Sequence, residues 1–496
     1  MKIVTHFKAK VAVLISGIVA IVVLLAVLGT HFLAPQLKPV VAATVKVIPN
    51  CLFSDGAVLQ EGQPIPIFGT AANAAPITVQ FAGQTAHAVA KHGRWIVHLR
   101  PVRSGGPYRL TIAGPSNTVV INDVLVGEVF LCSGQSNMGF DLLDASDATQ
   151  AMASSNDSHL RLYYVPAKLS FTPVYNTHSR WVRSTPNTSP YFPAVPYFFG
   201  CALRKSLKVP IGLIDSVRDG SVAQSWLSAE ALSKLPFGNK AAKDVSSNKN
   251  GILYNGMITP LIPYGIKGVI WYQGESNTDD PSLYKSLLPA LIADWRNKWG
   301  MGQFPFYFVQ LAPYLSVTSA PQESGWASIR ETQRLTAQRV PNTGMAVITD
   351  AGDSGGIHPR RKHIVGTRLA RIALARTYHR AIEYTGPVVK NCELSGRYVI
   401  IHFTHARGLH TQKVVDQDGS VVSPASKVMG FTAIAAGSAH YFNVLAQIVN
   451  GTVRLLVPAR ERIVEIRYGW ADYPQVNLYN SAGLPASPFE SKVTSQ

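Results

Sequence analysis

Residues 124–140 read VLVGEVFLCSGQSNMGF. The first half, 124–130, is nearly continuous in apolar residues, the pattern of a strand covered on both faces. The second half stops in small and polar residues, with Ser136 between Gln135 and Asn137. In an open α/β sheet, ligand sites lie beyond the carboxyl ends of the strands. The turn is therefore either a bend that happens to hold a serine or a device that presents Ser136.

The same texture recurs downstream. VPIGLIDSV, IKGVIWYQG, FPFYFVQL and TGMAVITDAG are apolar runs of strand length at wide intervals. Helical patterns lie between them. Leu283, Leu287, Leu291 and Trp295 fall at four-residue spacing, and Val365, Leu369, Ile372 and Ala373 share a face in the same way. Buried strands alternating with amphipathic helices predict an α/β catalytic domain over 127–384, with a parallel sheet covered on both sides. Residues 47–126 carry short β-branched and aromatic runs punctuated by Gly, Asn and Pro, which predicts an N-terminal β-sandwich. After residue 384 the β texture returns in YVIIHFTHA, GTVRLLVPA and RIVEIRYGW, so 385–496 is a C-terminal β region.

Residues 1–46 are distinct. Lys2, Lys8 and Lys10 precede an apolar run over 11–28. About 20 apolar residues span a bilayer, and a basic flank favours a cytoplasmic N-terminus. The run is longer than the ~7–15 residues of a signal-peptide core. The small-residue site nearest to it, Ala42-Ala43-Thr44, lies well beyond it. The expectation is an uncleaved transmembrane anchor, with a cleaved signal as the alternative; both export the remainder of the chain.

The 496 residues, 47% hydrophobic and 15% charged, describe a globular chain rather than a disordered one. The net charge of +18 raises the question of nucleic acid. The basic residues are dispersed and form no zinc-finger, RRM or basic-helix pattern, so no nucleic-acid partner is expected. Cys51, Cys132, Cys201 and Cys392 are too widely spaced for a CxxC metal or redox motif. They are either buried thiols or disulfide partners.

Polar clusters stand at the ends of successive apolar runs: GQSN at 134–137, DGS at 219–221, QGESN at 273–277 and DAGDSGGIHP at 350–359. They contain a serine, carboxylates and a histidine, the parts of an acyl-transfer triad. A serine hydroxyl needs a base to take its proton, and His358 can do so near neutral pH. A carboxylate would hold the imidazole. Backbone N–H groups at Ser136 and Gly220, with the Gln273 side chain, are candidates for an oxyanion hole. Each part alone has a bland counterpart: serines in Gly-rich turns are more often structural, and Glu275 can simply open a helix. GQSNM also lacks the last glycine of the G-x-S-x-G elbow. Their joint occurrence at successive strand ends favours chemistry.

GEVFLCSGQSNM, GSVAQSW, GVIWYQGESN, SIRETQ, IHPRRKHIVGTRLA and RYGWADYPQVNLYNSAGLPASPF, with LFSDGAVLQEGQPIPIFGTA near the N-terminus, resemble the sialate O-acetylesterase family, within the SGNH-type carbohydrate esterases. The likeness covers 47–489. It implies an SGNH-hydrolase-like fold with Ser136 as nucleophile, His358 as base, and Ser136, Gly220 and Gln273 as the oxyanion hole. Asn137, Asn277 and Arg330, which stand in these motifs, are the implied substrate contacts. The acid departs from the usual SGNH pattern, because the residue three before the histidine is Gly355. Glu275 of the GES motif is favoured, with Asp353 as the alternative. The implied activity is hydrolysis of O-acetyl esters on carbohydrate through an acetyl-enzyme, without metal or cofactor. Sialate, acetylated xylan and other acetylated polysaccharides are the candidate substrates. The rival of another class is a non-catalytic glycan-binding surface protein.

Overall fold

One strand of 17 residues, β1 (Thr118–Gly134), changes character along its length. From Thr118 to Asp123 its residues are exposed or half-buried except Ile121, whereas every residue from Val124 to Gly134 is buried. The first part pairs antiparallel with Gly105–Ala113. The second part runs between two parallel neighbours, β4 (Ile211–Val217) and β5 (Gly268–Tyr272). A strand with one wet face needs apolar residues only at alternate positions; one sandwiched between layers needs them throughout.

The computed structural model describes residues 46–236, 248–458 and 461–495. The apolar run at 11–28, and with it the expected membrane anchor, lies outside them. Among the described residues no helix is long and apolar enough to cross a membrane. The remaining strands around β1 are β2 (Asp157–Tyr164), β3 (Trp181–Ser184), β6 (Phe306–Val309) and β7 (Thr343–Ala346). Their order across the sheet is β3-β2-β4-β1-β5-β6-β7. All neighbours on this path are parallel except β3, which lies antiparallel on β2. The expected parallel sheet is thus the core of a mixed, 11-stranded one that also takes in N-terminal strands.

This corrects the boundary placed at 126/127, which falls inside β1. Four N-terminal strands, Val58–Gln60, Pro76–Phe81, Gln84–Val89 and Gly105–Ala113, belong to the same sheet, Val58–Gln60 paired directly to 125–127, while Ile48–Pro49, Ile65–Thr70 and Arg94–Leu99 form a separate three-stranded sheet. A single hydrophobic cluster runs from Val47 to Leu374. A second cluster, from Val389 to Phe489, belongs to an 8-stranded C-terminal sheet. All four cysteines are free thiols.

Around the site stand the helices α1 (Ser136–Gly139), α2 (Ala194–Leu207), α3 (Pro281–Trp299), α4 (Gly325–Arg339) and α5 (Lys362–Arg376); α2, α3 and α4 lie in crossovers between strands, and α5 follows β7. On α3 the spaced residues Leu287, Leu291 and Trp295 are fully buried; burial of such side chains stabilises by about 1.5–3 kcal/mol each. Asp280 caps its N-terminus by accepting from Leu283 N, and Gly300 ends it at φ 68°.

Arg330, on α4, is fully buried. Its guanidinium donates to four main-chain carbonyls: Leu311 at 2.9 Å, Ala312 at 3.1 Å, Ala471 at 2.7 Å and Asp472 at 2.7 Å. It therefore rivets the loop after β6 to the C-terminal region and is not a substrate contact. Burial draws its pKa down to about 9. Replacing it by methionine strands those carbonyls in the interior. Arg330→Met is expected to lose about 3 kcal/mol or more of stability, read as a lower denaturation midpoint. An unchanged midpoint with a raised KM would return Arg330 to the substrate site.

Candidate active site

Three turns meet where β1, β4 and β5 end. Gly134 (φ 144°) is required at the end of β1, because a Cβ there would lie 2.1 Å from the Tyr272 carbonyl oxygen. The close approach lets Gln135 N donate to that same oxygen at 3.0 Å. The Gln135 side chain in turn accepts from Gly274 N and Ser276 N, at 3.4 and 3.3 Å. Ser136 follows at the start of α1 and is half-buried.

Ser136 Oγ lies 2.8 Å from His358 Nε2, across 222 residues of chain. The nearby Ser133 has a different setting: it is fully buried and donates to the Ser216 carbonyl at 2.6 Å, tying β1 to β4. Burial lowers the His358 pKa, the Lys362 charge lowers it further, and the Asp219 carboxylate opposes both.

Neither expected acid touches the imidazole, and among the described residues no carboxylate lies within ion-pair distance of it. Asp353 accepts from Gly355 N at 3.0 Å and so braces its own turn. Asp350 is committed to Arg368, at 2.6 and 2.7 Å; burial alone would raise its pKa, but that guanidinium holds it low. Glu275 is buried behind α1. Its Oε1 accepts from Asn137 Nδ2 at 2.6 Å, and its Oε2 has no hydrogen-bond partner.

Asn137 joins these parts. Its Nδ2 also donates to the Ile357 carbonyl at 2.9 Å, and its Oδ1 accepts from Lys362 Nζ at 2.5 Å. Glu275 thus reaches His358 only through Asn137 and the backbone of the preceding residue. Lys362 Nζ sits over the Phe140 and Tyr272 rings, 4.8 and 5.5 Å from their centroids. Burial pushes the Lys362 amine down to about 7, against the attraction of Glu275. Burial likewise pushes the Glu275 carboxyl up, partly offset by Asn137 and Lys362.

Gln273 and Asn277 also face inward. Gln273 Nε2 donates to the Ser221 carbonyl at 3.1 Å and to Asn277 Oδ1 at 2.8 Å, which occupies both of its N–H bonds. Asn277 donates to Gln224 Oε1 at 2.9 Å and accepts from Ala223 N at 3.0 Å. Both are buried, so they brace the turn carrying Gly220 and are neither an oxyanion donor nor a substrate contact. Gly220 adopts φ 66°. Its N–H and that of Ser136 make no hydrogen bond among the described residues.

Three participants escaped the sequence reading. Lys362 looks like an exposed residue opening α5, and only the fold shows it buried. Asp219 stood in the DGS cluster but was given no role. Asp416 comes from the C-terminal region: its carboxylate accepts from Ser354 N at 3.2 Å and from the Ser354 hydroxyl. Tyr473 donates to the same carboxylate at 3.0 Å, and Arg361 donates to the Val415 and Asp416 carbonyls. The loop bearing His358 is therefore gripped on both sides of the histidine.

Residues 126–375 match the family model of carbohydrate esterases described as sialic acid-specific acetylesterases. The chain is 31% identical to the sialate O-acetylesterase of Homo sapiens over 81% of its own length and 83% of the human protein. It is 29% identical to that of Rattus norvegicus, over 81% and 84%. The structure is similar to the crystal structure of a carbohydrate acetylesterase from Xanthomonas citri, with a TM-score of 0.81 and 37% identity, covering 90% of this chain and 99% of that one.

If Asn137 positions His358, Asn137→Ala should lower kcat by about 10²-fold, the scale of a small misplacement of reacting groups, with little change in KM. Asp353→Asn should stay within a few-fold of the parent. Steady-state kinetics with a thermal melt of each variant make the check. A rise in KM alone for Asn137→Ala would restore it as a substrate contact, and a larger loss at Asp353 would make that residue the acid.

Proposed function

The chain belongs to the sialate O-acetylesterase family of carbohydrate esterases, and on that premise we propose that it is an exported serine esterase working through an acetyl-enzyme. It is a carboxylic ester hydrolase, and its substrate class is O-acetylated carbohydrate. The observation that carries the mechanism is the 2.8 Å contact between Ser136 Oγ and His358 Nε2.

Ser136 Oγ attacks the acetyl carbonyl carbon as its proton passes to Nε2 of His358. Negative charge develops on the carbonyl oxygen, where the free N–H groups of Ser136 and Gly220 can receive it. The imidazolium protonates the departing sugar oxygen, leaving acetate esterified to Ser136. Water then attacks that ester, with His358 taking its proton, and collapse returns the serine and releases acetate. Two charges of opposite sign bear on the imidazole. Asp219 favours the imidazolium formed during transfer, while Lys362 favours the neutral base.

Sialate is one substrate reading, supported by the family; acetylated xylan or another acetylated polysaccharide is the other, supported by the need to recognise only an acetylated hydroxyl. Export rests on the basic flank and apolar run at 2–28, which would tether the enzyme to the membrane with its catalytic part outside the cytoplasm.

The base must be neutral to act. Because the His358 pKa is lowered, the acid limb of kcat/KM should have its midpoint below the ordinary histidine value of about 6.5. In that range Lys362 is charged, so Lys362→Met removes a repulsion and should move the limb to higher pH. Ser136→Ala should lose roughly 10⁶ in kcat. Acetate release from acetylated glycans, followed against pH, checks all three. A limb that stays put or moves down in Lys362→Met, or a Ser136→Ala enzyme near parental rate, would sink the proposal.

A further inference from the structure

A cleft of about 1010 Å³ opens on the N-terminal β region and shares no lining residue with the Ser136–His358 site. One wall comes from Ile48–Pro49 and from the strands Ile65–Thr70, Gln84–Val89 and Arg94–Leu99; residues 175–178 and 259–263 form the other. Every titratable side chain on these walls other than Tyr175 is basic or a histidine: His87, Lys91, Arg94 and His178, with no Asp or Glu among them. The Arg94 guanidinium stacks on the Tyr175 ring, 3.4 Å from its centroid. Among the described residues neither Arg94 nor Lys91 makes a side-chain ion pair or hydrogen bond to an acid; the acid-pairing arginines of this chain lie elsewhere. The first wall is largely apolar, with Val89 and Ile96 exposed on it.

This combination selects for an occupant. A stacked guanidinium is held in place yet keeps its N–H edge open, the arrangement that pairs a carboxylate in bidentate fashion. Clustered cations without counter-charges favour an anion. The apolar side chains of that wall and the Tyr175 ring suit the C–H faces of sugar rings. A saccharide chain carrying carboxylates presents both chemistries at sugar spacing, and the volume is that of a ligand cleft.

We propose that this cleft is an accessory subsite for carboxylated glycan, holding uronate-bearing stretches of the substrate while the separate Ser136 site removes acetyl groups. The inference rests on the reading of the chain as a glycan esterase. It gives that reading a substrate class, acidic rather than neutral polysaccharide.

The test uses the full chain with two variants, Lys91→Glu and Arg94→Ala, and deacetylated oligogalacturonate as the probe in isothermal titration calorimetry. Loss of one charge-assisted pair should weaken binding at least about tenfold. The KM for O-acetylated pectin should rise by a similar factor, with hydrolysis of p-nitrophenyl acetate unchanged. Lys91 lies off the Tyr175 stack, so Lys91→Glu reads the charge without disturbing that packing. The proposal is overturned if oligogalacturonate does not bind the parent or binds both variants equally. It is also overturned if a neutral xylo-oligosaccharide binds as tightly, or if phosphatidylglycerol vesicles bind in preference. A parent that binds oligogalacturonate but hydrolyses no acetyl ester would contradict the esterase reading and leave the subsite standing.

Discussion

The carboxamide of Asn137 holds together three segments that are distant in sequence. Its nitrogen bridges the Glu275 carboxylate and the Ile357 carbonyl, and its oxygen receives the Lys362 amine. Because Asn137 follows Ser136 directly, the residue that fixes the histidine loop is anchored to the serine turn itself. An amide suits this place because it offers a donor face and an acceptor face at once. An aspartate would repel Glu275, and a leucine would leave buried polar groups without partners.

Placing His358 in this way differs from a triad in which an acid grips the imidazole. Here no described carboxylate does so, and the loop is fixed through its backbone. Asn137 holds it at residue 357. Asp416 and the carbonyls beside it hold Ser354 and Arg361, on either side of His358. The C-terminal β region thus supplies support for the loop bearing His358, and Arg330 fastens that region to the sheet at a second place. Burial lowers the pKa of His358, with the Lys362 charge adding to it and the Asp219 carboxylate opposing it.

Much of this was legible in the residues. The apolar runs and the four-residue spacing on α3 marked the α/β core, and Leu287, Leu291 and Trp295 are buried as that spacing requires. Ser136 and His358 were legible because they close successive strand ends, where the topology brings them together. The boundary at 126/127 was misplaced because a change of hydrophobic pattern was read as a change of domain. In β1 the same change marks one strand passing from a half-wet sheet into a covered one. Gln273, Asn277 and Arg330 were misread for a related reason. A polar residue in a site motif has the same letter whether it faces the ligand or braces the wall behind it. Only the partners decide, and for these three the partners are carbonyls and amides of the protein itself. Lys362 was invisible because nothing in a helix's first residue announces burial.

The central claim is that Ser136, activated by His358, carries the acetyl group between sugar and water. The most direct measurement is rapid acid quench of the enzyme during turnover of an acetyl ester, followed by mass mapping of its peptides. The account predicts an acetyl group on the peptide containing Ser136, at Ser136 and not at Ser133, and no such adduct in His358→Ala. An acetyl group trapped on another side chain, or one that still forms on Ser136 at parental rate without His358, would contradict it.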